Sequence, residues 1–308
     1  MITILTPSTS TLGPVLRNFF GVSETTLSTH EGGMDDSLMR AWYSKYLYSD
    51  QGLSSLTERM QSYLHHKLDQ EVASTTGSKT VDMYAWLSAF IFEASLAALL
   101  THESPTLSPE LLAHFNAFDK ALPLALAGCP VSYLSAAAKG RQAMYSVAQD
   151  ASDRRGETCT LMQKRFHLFQ TLLDKGAMAS GDDLAMQLAI MWASVGNTIP
   201  TAFWLVYFLT AEGEASEDVR AAVLAEVSSG HTTGTDGCVS FSQDKLTSML
   251  TLDACITETL RLCSGSMIMR EGVYTRYTHI RRNTLFYSAV LTPISHRLHL
   301  PSSRLLKS

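Results

Sequence analysis

Two polar side chains stand where chemistry needs them, close together and shielded from charge. Asn197 and Thr198 sit in Gly196-Asn-Thr-Ile-Pro200, near the middle of 28 consecutive uncharged residues between Asp183 and Glu212. An amide and a hydroxyl can hold a ligand or a water by hydrogen bonds without carrying charge. Further on, Glu258-Thr-Leu-Arg261 places an acid and a guanidinium on one helical face, three residues apart. Taken alone, that spacing is an ordinary ion pair. Arg270 follows nine residues later. The five cysteines (Cys129, Cys159, Cys238, Cys255 and Cys263) are odd in number and lack a framework spacing. They read as reduced thiols rather than disulfides. No metal-ligand spacing recurs among the histidines and cysteines.

The uncharged run would span roughly 40 Å as one helix. Gly196 weakens such a helix and Pro200 removes a backbone donor. The flanks are acidic (Asp182, Asp183 and Glu212) and no Lys/Arg cluster orients the run. It therefore reads as a buried central helix, locally opened so that Asn197 and Thr198 face a ligand, rather than as a transmembrane span.

The remaining elements are almost all helical. Leu53, Leu56, Met60, Tyr63, Leu64 and Leu68 mark an amphipathic helix over Leu53–Val72. Val81–Leu100 is apolar throughout and expected to be buried. Ser108-Pro109-Glu110 opens a helix towards Leu122, with the serine hydroxyl as cap and proline in the first turn. Gly128-Cys-Pro130 breaks the chain after it. Further helices are expected over Val131–Ala148, Glu157–Lys175, Ser180–Ala211, Glu214–Ser229, Ser242–Leu250 and Leu252–Leu262, with a loop over Gly230–Gly237. Strand signals are weak. Trp192, Trp204 and the methionines recur at helical spacing and read as core.

At 308 residues and 45% hydrophobic, the chain can build a sizeable core and is not disordered by composition. Charge is uneven along it. Residues 274–308 hold six basic residues and no acidic ones, leaving 18 basic against 29 acidic, a net of −11, in residues 1–273. A change of sign can mark a nucleic-acid or membrane-surface arm. This tail has no dense Lys/Arg run, however, and nucleic acid is not expected as a partner.

Trp192 through Trp204, Ile256-Thr-Glu-Thr-Leu-Arg-Leu262 and Phe118-Asp-Lys-Ala-Leu-Pro123 together resemble the cytochrome P-450 haem monooxygenases. The branch is that of the sterol and oxysterol 7-alpha-hydroxylases, nearest its 24- and 25-hydroxycholesterol members. The resemblance runs from about residue 273 back towards the N-terminus. It implies a mainly α, partial cytochrome P-450 fold over 1–273, with 274–308 a basic, non-family tail.

The resemblance also implies roles. Asn197 and Thr198 would hold the waters that deliver protons on the oxygen side, Arg270 would bind a haem propionate, and Glu258 and Arg261 would form a buried structural ion pair. It implies haem, NADPH through a cytochrome reductase, a sterol or oxysterol substrate, and the cytosolic face of the endoplasmic reticulum membrane. The pathway class would be cholesterol catabolism and bile-acid synthesis.

The pattern is incomplete. Family members present an axial cysteine thiolate in F-x-x-G-x-x-x-C-x-G. None of the five cysteines stands in that frame, so no metal ligand is expected here and the chain as written is expected to be inactive. Met1-Ile-Thr-Ile-Leu-Thr-Pro7 is neither a signal peptide nor a 20-residue anchor, so part of the family's N-terminal region is expected to be missing. The alternative expectation is a non-enzymatic helical fragment that binds membrane, lipid or a partner protein.

Overall fold

In the computed structural model, residues 13–28, 36–74, 78–101, 108–211, 213–233, 239–263, 267–271 and 285–289 are described. A π-helical turn, Leu16–Phe20, opens the fold and ends at Gly21, whose φ of 89° suits glycine. Helices α1 (Glu24–Ser28), α2 (Asp36–Tyr46), α3 (Asp50–Ser74) and α4 (Met83–Leu99) follow, then α5 (Pro109–Asp119) and α6 (Leu122–Leu126). Next come α7 (Ser135–Asp153), α8 (Thr160–Asp174), α9 (Asp182–Val195), α10 (Thr198–Thr210) and α11 (Glu214–Gly230). A hairpin of β1 (His231–Thr233) and β2 (Val239–Phe241) precedes α12 (Gln243–Thr247) and α13 (Leu250–Cys263). The last described elements, β3 (Met267–Glu271) and β4 (Leu285–Ala289), pair antiparallel. The chain is mainly α, as its periodicity predicts.

Several boundaries differ from the sequence reading. The helix aimed at Leu122 stops at Asp119, because the ring of Pro123 would clash with the carbonyl four residues back. Pro123 instead enters the first turn of α6. Ser108 stands at the N-cap of α5 without capping a backbone N–H. Glu110 provides part of the missing cap, since its carboxylate accepts its own backbone N–H and the Ser108 hydroxyl, which lowers its pKa. Leu134, in extended conformation, separates a 3-10 turn (Val131–Tyr133) from α7, so the helix expected from Val131 begins at Ser135. The loop expected over Gly230–Gly237 starts as strand β1, which pairs His231 with Phe241.

The core lies where α4, α5, α7, α8 and α9 meet the N-terminal turn. Phe19 and Phe118 stack with centroids 4.1 Å apart, and Trp192 meets Phe19 edge-on at 5.7 Å. Helices α5 and α7 approach so closely that a Cβ on Gly140 would lie 2.2 Å from the His114 carbonyl oxygen.

Polar side chains tie the helices together within this core. Arg165 of α8 is only 2% exposed; it donates to Gln187 Oε1 (2.9 Å), the Met186 carbonyl (2.6 Å) and the Tyr43 hydroxyl (3.0 Å), joining α8 to α9 and α2. Arg59 of α3 donates to the carbonyls of Ala98 and Leu100 at 2.7 and 2.6 Å, satisfying acceptors left over at the end of α4. Asp182 accepts from the Ser23 hydroxyl (2.6 Å) and backbone N–H (3.0 Å), which fixes the start of α9. Beside these, Glu93 of α4 accepts from Lys67 Nζ (2.8 Å) and the Tyr63 hydroxyl (2.7 Å) of α3.

Burial and the neighbouring Glu93 carboxylate push the Tyr63 phenol well above the usual tyrosine range. A group whose pKa rises on folding contributes stability that is fully present below its unfolded pKa and lost as pH rises. The wild-type chain is therefore expected to lose stability above about pH 10, and Tyr63→Phe to lose less over the same window. Denaturant midpoints at pH 8 and 10.5 check this; equal alkaline losses in the two proteins would contradict it.

Candidate functional site

Pro200 has no N–H to offer the Gly196 carbonyl, and its ring crowds that carbonyl. The uncharged run accordingly divides: α9 ends at Val195 and α10 starts at Thr198, with Pro200 in its first turn. The backbone at Gly196 and Asn197 stays near helical values, so the junction is a slackened turn rather than a corner. The two halves differ in burial. Most apolar side chains of α9 are core, whereas Ile199 is the buried residue of α10. The expectation of one buried central helix thus holds for α9 and is corrected for α10. Helix α10 packs on α4, α11 and α13, and apart from Ile199 its side chains are left partly or fully exposed.

That surface is aromatic. Phe203, Trp204, Tyr207 and Phe208 form a contiguous ladder, with Trp204 and Phe208 stacked at 5.8 Å. Tyr84 of α4 extends it, 5.1 Å from Phe203. Tyr84 and Tyr207 are 48% and 45% exposed. By length and composition Asp182–Thr210 could cross a membrane, and its most apolar 18-residue stretch is only 17% buried.

Asn197 and Thr198 are both exposed at the junction. The Thr198 hydroxyl donates to the Ser194 carbonyl at 2.9 Å, and that of Thr201 to the Asn197 carbonyl at 2.7 Å. Hydroxyls bonded back to the preceding turn are typical where a helix bends. Asn197 is the N-cap of α10 but its amide makes no capping bond.

Glu258 and Arg261 do pair, through two hydrogen bonds of 2.7 and 2.5 Å. The pairing holds the Glu258 carboxyl below its ordinary pKa. The expected burial is corrected: their side chains are 50% and 66% exposed. Arg270 lies on β3, its Cα paired with that of Phe286 on β4.

Two site features escaped the sequence reading. Glu226 of α11 accepts from the Thr251 N–H (2.9 Å) and hydroxyl (2.6 Å) and from the Leu252 N–H (3.0 Å), capping α13 from outside. The Thr251 bonds lower its pKa. Trp192 Nε1 donates to Asp119 Oδ1 at 2.7 Å, which joins two of the family-like segments. Neither was legible, because each pairs residues 25 or more positions apart with no periodicity to mark them.

Cys129, Cys159, Cys255 and Cys263 are free, and burial pushes the thiols of Cys159, Cys255 and Cys263 up, towards the neutral form. Thiolate sites need the opposite shift. Cys238 lies outside the described residues. No group of three or more His, Cys, Asp or Glu suited to a metal occurs among the described residues.

The difference between the two N-caps gives a test. Asp82 accepts from the Ala85 N–H at 2.7 Å and caps α4, so Asp82→Ala should cost about 1 kcal/mol. Asn197→Ala, at a cap whose side chain makes no such bond, should cost less than about 0.5 kcal/mol. Urea midpoints of the two variants decide, and equal losses would contradict the geometry.

Comparison with known proteins gives a consistent picture. The family model "Cytochrome P-450" matches residues 14–281. Cytochrome P-450 7B1 of Mus musculus is 27% identical over 246 residues, covering 77% of this chain and 48% of the relative. The 25-hydroxycholesterol 7-alpha-hydroxylase of Rattus norvegicus is 27% identical over 73% of this chain and 55% of its own length. Cytochrome P-450 7A1 of Oryctolagus cuniculus is 29% identical over 75% and 47%. The chain thus spans about half the length of these relatives. A crystallised cytochrome P-450 (CYP102L1) shares the fold, with a TM-score of 0.56 at 15% identity, over 92% of this chain and 65% of that one.

Proposed function

This chain belongs to the cytochrome P-450 family, and from that premise we propose that it derives from a haem-dependent sterol monooxygenase, an oxysterol 7-alpha-hydroxylase of cholesterol catabolism and bile-acid synthesis. The observation that carries the reading is the helix interrupted at Gly196-Asn197, with Thr198 opening the next helix. It occurs in a chain that aligns over three quarters of its length with sterol 7-alpha-hydroxylases. In the intact arrangement, Asn197 and Thr198 orient water on the oxygen side, Arg270 holds a haem propionate, and Glu258 with Arg261 braces the helix that carries them. A sterol or oxysterol is the substrate, a reductase supplies electrons from NADPH, and the site of action is the cytosolic face of the endoplasmic reticulum membrane.

The 308 residues as they stand are read as catalytically incompetent. Support comes from the sequence: no cysteine stands in the F-x-x-G-x-x-x-C-x-G frame. Residues 1–273 form the partial family domain and 274–308 a tail outside its pattern, a division supported by the change of charge at Tyr274; the family match itself runs on to residue 281. A second reading rests on the partly exposed aromatic ladder of α10: a non-enzymatic helical polypeptide that binds a membrane, a lipid or a partner protein through that face.

Carbon monoxide difference spectra separate the two. The 308-residue chain, supplied with haem and dithionite, should show no thiolate-type Soret band. A chimera in which the rat 25-hydroxycholesterol 7-alpha-hydroxylase supplies everything after Arg270 and before Met1 should show the band and hydroxylate an oxysterol with reductase and NADPH. A band from the chain itself that survives Cys263→Ser would overturn the assigned incompetence. A haem-loaded chimera that oxidises no sterol would overturn the lineage reading.

A further inference from the structure

Trp192 stands one turn before Gly196, and its indole is held from three directions. Its Nε1–H donates to Asp119 Oδ1 at 2.7 Å, and its ring meets the edges of Phe19 and Phe20 at 5.7 and 5.8 Å. Its own carbonyl accepts the Gly196 N–H at 2.9 Å. A Cβ placed on Gly196 would lie 3.4 Å from the indole Cε2 and 3.6 Å from Nε1. The indole edge therefore covers the residue at which α9 ends.

The junction itself is weakly determined. Pro200 cannot donate to the Gly196 carbonyl, Asn197 makes no capping bond, and the Thr201 N–H reaches the Asn197 carbonyl only at 3.3 Å. Packing of α10 on α4, α11 and α13 restrains its far length, and a contact at the junction itself can restrain its angle. Asp119 can supply one, since it closes α5, and α5 is locked to α7 through the close approach at Gly140.

We propose that Asp119 is a positioning residue: by holding the Trp192 indole against Gly196, it sets the angle at which α10 leaves α9, and with it the direction of Asn197 and Thr198. The restraint stands on the contacts above, and only its use in oxygen-side chemistry rests on the lineage proposed for the chain. The carboxylate acts as an acceptor, so an amide oxygen should replace it. An apolar side chain should not.

Peptide-resolved hydrogen exchange over residues 193–204 of the 308-residue chain tests the restraint, with 19F spectra of 5-fluorotryptophan-labelled protein reporting the indole. Asp119→Ala and Trp192→Phe should each speed exchange at the Gly196–Thr198 amides about five- to tenfold, the scale of one lost charge-assisted hydrogen bond. The double variant should exceed neither single one, because both remove the same bond. Asp119→Asn should keep wild-type exchange and a nearly unmoved Trp192 resonance. Trp192→Phe retains the ring packing, so it decides the matter even if Asp119→Ala does not fold. Wild-type exchange at the junction in Trp192→Phe, additive effects in the double variant, or acceleration spread equally through α5, α7 and α9 would each overturn the proposal. Failure of the lineage reading would show separately, as a haem-loaded chimera that oxidises no sterol, without altering these rates.

Discussion

A single missing donor organises this molecule: Pro200 has no N–H for the carbonyl four residues before it. An uncharged stretch of 28 residues would otherwise run as one continuous helix. Interrupted, it serves two purposes. Helix α9 enters the core, fixed at its start by Ser23 on Asp182 and along its length by Arg165 on Gln187 and the Met186 carbonyl. Helix α10 leaves that core and lies on α4, α11 and α13 with a partly exposed aromatic ladder. The polar residues of the site sit at the slack point between them.

Much of this could be read from residue patterns, since helical periodicity and helix-breaking residues act locally. The amphipathic stretch expected over Leu53–Val72 is helix α3, and Gly196 with Pro200 marks the interruption. Resemblance located the family from Trp192–Trp204 and Ile256–Leu262. What remained illegible depends on distant partners. Nothing around Glu226 shows that it caps α13 25 positions later, and nothing around Asp119 shows a bond to an indole 73 positions later. The exposure of Glu258 and Arg261 was equally hidden, because three-residue spacing fixes a shared face and not what covers it.

The same distinction bears on function. The Gly196–Pro200 motif and its helix junction form from local sequence and from contacts among the described residues. Thr198 returns its hydroxyl to the Ser194 carbonyl and Asn197 stands free of a capping bond. An axial thiolate, by contrast, needs a cysteine in the family's F-x-x-G-x-x-x-C-x-G frame, where none of the five stands.

The central claim is that the uncharged run is core up to Val195 and only partly covered beyond Thr198. Binding of a hydrophobic dye to the native 308-residue chain tests it most directly. The structure predicts that the wild type binds dye below its unfolding transition, and that combined Phe203→Ser, Tyr207→Ser and Phe208→Ser substitutions remove most of that binding while the core of α9 stays folded. A wild-type monomer that melts sharply and binds no dye would contradict the account.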